Sequence, residues 1–121
     1  MKIKRIDGEF SICRVSGPEQ IDLSSAFCFA AKTDEESSLV CETARAPRGA
    51  EARDDGWAAF RIEGVLDFSL VGILARISSL MAENGIGIFA VSTYNTDYIF
   101  TKKENIAKAV AVLAENGYET A

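Results

Sequence analysis

Apolar residues in this 121-residue chain recur with two different periods, and the changes from one to the other mark out its elements. Residues 10–15 (Phe-Ser-Ile-Cys-Arg-Val) alternate apolar with polar, which predicts a half-buried strand. Ser16-Gly17-Pro18 breaks it, and residues 19–23 have room for one helical turn at most. Residues 26–33 are strongly apolar and predict a second strand. Asp34-Glu35-Glu36-Ser37 is a turn, and residues 38–41 return as a third strand, completing a hairpin. Residues 42–56 mix Ala, Arg, Glu, Asp and Gly with no period. They are expected to form an exposed connector that divides the chain into modules at 1–55 and 56–121.

The second part is patterned more clearly. Residues 57–63 alternate so that Phe60 and Ile62 share one face of a strand. From about Ser69 to Asn84 the period lengthens, with Leu70, Ile73, Leu74, Ile77, Leu80 and Met81 at helical spacing. Gly85 is suited to the left-handed end of that helix. Ile86 to Ser92 predicts a strand, Tyr94 to Thr96 a turn, and Asp97 to Thr101 the return strand. A second helix over 104–116, with Ile106, Val110 and Leu113 inward, ends in the same Ala-Glu-Asn-Gly as the first. Tyr118-Glu119-Thr120 supplies a stub of a last strand. The order β-α-β-β-α-β predicts an α+β, ferredoxin-like fold: an antiparallel sheet with two helices on one face. The first 41 residues read as a worn copy of it. Residues 27–33 followed by Leu39-Val40 parallel residues 88–93 followed by Ile99-Phe100, which sets Thr33 against Thr93.

Composition narrows the function. Thirteen basic against eighteen acidic residues leave a net charge of −5, a field that repels nucleic acid and anionic membrane; neither is an expected partner. No segment approaches the roughly 18 apolar residues of a membrane span, and the first eight residues are too polar for a signal peptide, so a cytoplasmic location is expected. The chain has no His and no CxxC, which removes zinc fingers and His-dependent nucleophiles. No enzyme activity and no cofactor are expected. Cys13, Cys28 and Cys41 lie far apart in strand-like runs and read as small buried hydrophobes in a reducing compartment.

Two polar groupings carry the remaining chemistry. One is the start of the first helix, with Asp67 and Ser69; the other is the strand end running from Ser92 to Asp97. Helix-terminal N–H groups attract an anion and carboxylates attract a cation, a combination that suits a small zwitterion. Asp67 equally suits a helix cap, and Asp97 an ordinary hairpin turn. Both readings stand at this point.

The strings Phe60-Arg61-Ile62-Glu63-Gly64, 66–74 and 88–99 resemble the ACT domains, small regulatory modules that bind amino acids. The resemblance is to short tandem-ACT proteins related to the aspartokinase regulatory region and to the cytosolic arginine sensor. It implies a degenerate ACT-like unit followed by a full ACT domain, with the ligand held between two ACT units. Carried over by position, it implicates Asp67, Ser69, Leu70 and Val71 in the loop and helix start, and Thr93, Tyr94 and Asp97 in the hairpin. It implies a non-enzymatic sensor for a small amino acid such as arginine or lysine, working as a homodimer. The competing expectation is a structural dimerisation module with no small ligand.

Overall fold

In the computed structural model of the chain, which describes residues 1–67 and 70–121, the elements are, in order, β1 (Lys2–Val15), β2 (Cys28–Lys32), β3 (Ser37–Glu42), β4 (Ala52–Ile62), α1 (Ile73–Glu83), β5 (Ile88–Ser92), β6 (Asp97–Lys102), α2 (Ile106–Glu115) and β7 (Glu119–Thr120). One unit consists of Met1–Asp7 together with Ala58–Ala121, and the other of Gly8–Trp57. β1 and β4 are each divided between the two. Each carries a glycine of positive φ near the division, Gly8 at +100° and Gly56 at +87°, a backbone region that residues with a Cβ rarely adopt.

The larger unit runs β-α-β-β-α-β from β4 to β7, the ferredoxin-like α+β arrangement with both helices on one face. β5 and β6 pair antiparallel from Ile88↔Thr101 to Ser92↔Asp97. The short β7 pairs in parallel with the start of β1, Lys2↔Glu119 and Ile3↔Thr120. The Glu63 N–H donates to the Lys2 carbonyl at 2.9 Å. Residues of the chain's first strand thus fill the sheet position between β4 and β7. The core of this unit joins Ile3, Phe60, Ile62 and Ile99 of the sheet to Ile77, Met81, Ile106, Ala109 and Leu113 of the helices. Each of these Ile, Leu, Phe and Met side chains, fully buried, contributes about 1.5–3 kcal/mol, so this layer anchors everything that projects from it.

The smaller unit pairs β1 with β3 (Phe10↔Glu42 to Val15↔Ser37) and β2 with β3 (Cys28↔Cys41 to Lys32↔Ser37), all antiparallel. Where the larger unit has α1, this one has a single 3₁₀ turn at Pro18–Gln20. The likeness between the halves is close at the hairpins. β2 and β5, β3 and β6, and the 3₁₀ turns Thr43–Arg45 and Lys103–Asn105 are each offset by 60 positions. Cys13, Val15, Leu39 and Cys41 form this unit's buried cluster, with Cys28 packed against it. The three cysteines, distant in sequence, are gathered by strand pairing.

Three boundaries differ from the periodicity. α1 starts at Ile73, later than expected, because Gly72 precedes it with φ +81°. β4 begins at Ala52, within the stretch expected to be a connector, where charged residues occupy exposed strand positions. β1 begins at Lys2, ahead of the expected start at residue 10; Ile3 and Ile6, both buried, fall on opposite faces of the strand, which hides the two-residue alternation.

Candidate functional site

The turn Thr93-Tyr94-Asn95-Thr96 is closed by its own threonines. The Thr93 N–H donates to the Thr96 carbonyl at 2.8 Å, and the Thr96 N–H donates to the Thr93 hydroxyl at 3.4 Å. The Thr93 hydroxyl in turn donates to the Thr96 carbonyl at 3.1 Å. Thr33 and Glu36 repeat this closure, with the Thr33 N–H donating to the Glu36 carbonyl at 2.8 Å. Such hydroxyl-braced turns hold their shape without a glycine. Thr96 is buried, and its hydroxyl donates to the Ile62 carbonyl at 2.7 Å, which fastens the turn to the end of β4. The Leu66 N–H donates to the Asn95 carbonyl at 2.7 Å, fastening the following loop to the same turn.

Across from the turn, α1 opens at Gly72, whose carbonyl accepts from the Arg76 N–H at 2.9 Å. An α-helix leaves its first N–H groups without intrahelical carbonyls, here those of Ile73, Leu74 and Ala75, and Gly72 has no side chain with which to satisfy them. The helix dipole adds roughly half a positive charge at this end.

These pieces enclose a cleft of about 250 Å³, lined by residues 66–67, Leu70, the first turn of α1 from Gly72 to Ala75, and the hairpin end 92–97. Among the described residues its only charged walls are Asp67 and Asp97, so partial positive charge stands at the helix start and full negative charge at the loop and hairpin. Asp97 is half-buried and accepts a hydrogen bond from the Ser92 hydroxyl at 2.6 Å. Asp67 and Tyr94 are exposed at the rim, Tyr94 to 82%. The cleft is somewhat smaller than typical drug-sized sites of about 300–1,000 Å³, which suits one small metabolite.

Of the residues singled out by sequence, Asp67, Leu70, Thr93, Tyr94 and Asp97 share this cleft. Val71 lies instead on a neighbouring groove with Met1, Arg76 and Tyr118. Ser69 lies outside the described residues. The reading of Asp67 as the cap of α1 is corrected, since Gly72 occupies that position. Sequence reasoning missed the wall formed by Gly72 to Ala75, because the helix was expected to start earlier. It also missed the bracing role of Thr96, for which the Thr-x-x-Thr spacing was the available signal.

On the other side of the turn a second cleft of about 250 Å³ holds Arg61, Glu63, Asn95 and Tyr98. Arg61 donates to the Tyr98 hydroxyl at 3.2 Å and lies 3.5 Å from the Glu63 carboxylate. The Tyr98 hydrogen bond foremost holds its guanidinium still more firmly charged. Among the described residues no cluster of His, Cys, Asp or Glu has the arrangement of a metal site. No helix among them is long and apolar enough to cross a membrane.

Comparison with known proteins agrees with this architecture. No curated protein matches the chain. Among solved structures, protein Atu0741 of Agrobacterium tumefaciens is 31% identical with a TM-score of 0.87, over 99% of this chain and 91% of its own. A Vibrio cholerae protein of unknown function, VC0802, described as a possible transport protein, is 26% identical with a TM-score of 0.75, over 94% and 88%. The regulatory subunit of aspartate kinase from Thermus thermophilus, in a ligand-free form, shares the fold at 11% identity and a TM-score of 0.65, over 95% and 97%. The ACT domain family matches residues 52–115, more than half of the chain, and the protein belongs to that family.

Proposed function

We propose that this ACT-domain protein is a non-enzymatic sensor that takes a free amino acid into the cleft between the start of α1 and the β5–β6 turn. The observation that carries the reading is the polarity of that cleft, with helix-terminal N–H groups on one wall and the carboxylates of Asp67 and Asp97 on the others. An α-carboxylate bound at the N–H groups meets positive partial charge and donors that have no intrahelical carbonyl. The α-ammonium or a cationic side chain is then neutralised by Asp67 and Asp97. Two carboxylates with no lining Lys or Arg favour arginine or lysine over an acidic amino acid.

The cleft is open to solvent, and Val65, Leu70, Val71 and Tyr94 expose large side chains beside it. A second copy of the chain covering them would exclude water from a bound ligand, so that occupancy and dimerisation become linked. Those exposed apolar residues also support the other reading, a dimerisation module without a ligand. Thermal unfolding against each of the twenty amino acids separates the two. The sensor reading expects arginine or lysine to raise the melting temperature in wild type and not in Asp97→Ala. An unshifted melting temperature with every amino acid, alongside stable dimers, supports the structural module.

A further inference from the structure

We propose that Cys28 and Cys41 are a modification site that forms an intrachain disulfide by exchange with a small-molecule disulfide, cross-linking β2 to β3. The two residues stand directly opposite each other in the antiparallel register. Directly opposed residues in such a ladder have Cα atoms about 4.5–5.5 Å apart and project to one face of the sheet. A disulfide spans Cα separations of about 4.4–6.8 Å, so the strands need no displacement to close it. The side chains are also in the same packed cluster, where Cys28 lies against the buried group holding Cys41.

The two thiols differ in access, which orders the steps. Cys41 and Cys13 are buried, whereas Cys28 is half-buried on the outermost strand β2 and is the most accessible of the three residues to a solvent-borne reagent. The Cys28 thiolate attacks one sulfur of the reagent X–S–S–X, forming a mixed disulfide and releasing X–S⁻, which takes up the proton Cys28 lost. Cys41 then attacks the Cys28 sulfur. The bond to the remaining X–S breaks, and that group leaves with the proton from Cys41. Two thiols lose two electrons and two protons, and two X–SH carry them away. Burial raises all three thiol pKa values, so the exchange is slow at neutral pH and speeds up toward alkaline pH.

Cys13 is the internal competitor. It lies opposite Leu39, one diagonal step from Cys41. Diagonal neighbours on one face are farther apart than direct pairs, about 7–8 Å rather than about 5 Å, which favours Cys28 as the partner.

The test is to incubate the folded full-length protein with oxidised glutathione at pH 8.5, then count free thiols and map linked peptides by mass spectrometry. The expected result is a fall from three free thiols to one, with residue 28 linked to residue 41 within a monomeric chain. Cys41→Ser is expected to stop at a glutathione adduct on Cys28, and Cys13→Ala to cross-link as the wild type does. Three thiols retained, a lasting glutathione adduct in the wild type, a Cys13–Cys41 link or a disulfide between two chains would each overturn the proposal. Because the wild-type map decides the matter, the result does not depend on every variant folding.

Discussion

Ser92 and Asp97 are the last register pair of the β5–β6 hairpin, and the Ser92 hydroxyl donates to the Asp97 carboxylate across 2.6 Å. A hydrogen bond to an ionised acceptor is about twice as strong as a neutral one, so Asp97 is held at the mouth of the cleft as a fixed negative charge. Ser92→Ala removes that brace but leaves the charge. Affinity for a basic amino acid is expected to weaken several-fold, whereas Asp97→Ala abolishes it. Titration calorimetry on the two variants reads the difference. Equal affinity in wild type and Ser92→Ala would show that Asp97 needs no positioning.

Thr96 ties the β5–β6 turn to the scaffold. Its hydroxyl donates to the Ile62 carbonyl at 2.7 Å within a buried environment. Thr96→Val keeps the volume but leaves that carbonyl unsatisfied, for a loss of about 1–3 kcal/mol. Urea denaturation is expected to show that loss, and ligand affinity to fall with it because the turn is no longer pinned to β4.

Gly72 sets where α1 begins. Its φ of +81° is a left-handed conformation, and a Cβ there would meet nothing within 4 Å. The penalty of Gly72→Ala is therefore backbone strain, about 1–2 kcal/mol. Denaturation is expected to show it in the free protein. A larger loss of binding than of stability would mark the N–H groups of the first turn as ligand donors.

Cys41 makes stability depend on pH in the alkaline range. Burial foremost, with the neighbouring Cys13 and Cys28 adding to it and Arg53 opposing, pushes its thiol up to about 12. An unfolded thiol ionises near 8.5, so between these values the folded state holds the proton that the unfolded state has released. Stability from this group is complete below about pH 8.5 and declines as pH rises toward 12. Denaturation midpoints from pH 8 to 10.5 are expected to fall in the wild type, and less steeply in Cys41→Ala.

What the sequence revealed and what it concealed divide along physical lines. The hairpin 88–101 and the helical face of Ile73, Ile77 and Met81 were legible because one face of each is buried and the other wet. The start of β1 was not, since Ile3 and Ile6 are buried on opposite faces. The helix start was misplaced because Leu70 continues the apolar spacing of α1 without belonging to it; only Gly72 signals the break. At the site, the charges of Asp67 and Asp97 and the N–H groups of a helix start could be read as a set suited to a zwitterion, but the residues that present those N–H groups, Gly72 to Ala75, could not. The threonine-braced turn was hidden as well, because backbone groups and two hydroxyls close it and these leave little mark in composition.

The most direct test of the amino-acid reading is a titration followed by amide resonances in solution, with arginine and lysine added in turn to the free protein. The account predicts saturable shifts concentrated at residues 66–75 and 92–97, lost in Asp97→Ala. At a hundred times the dissociation constant it also predicts a gain of about 2.7 kcal/mol in unfolding free energy. Resonances of those segments that stay fixed at millimolar concentrations of both, or shifts centred elsewhere in the chain, would contradict it.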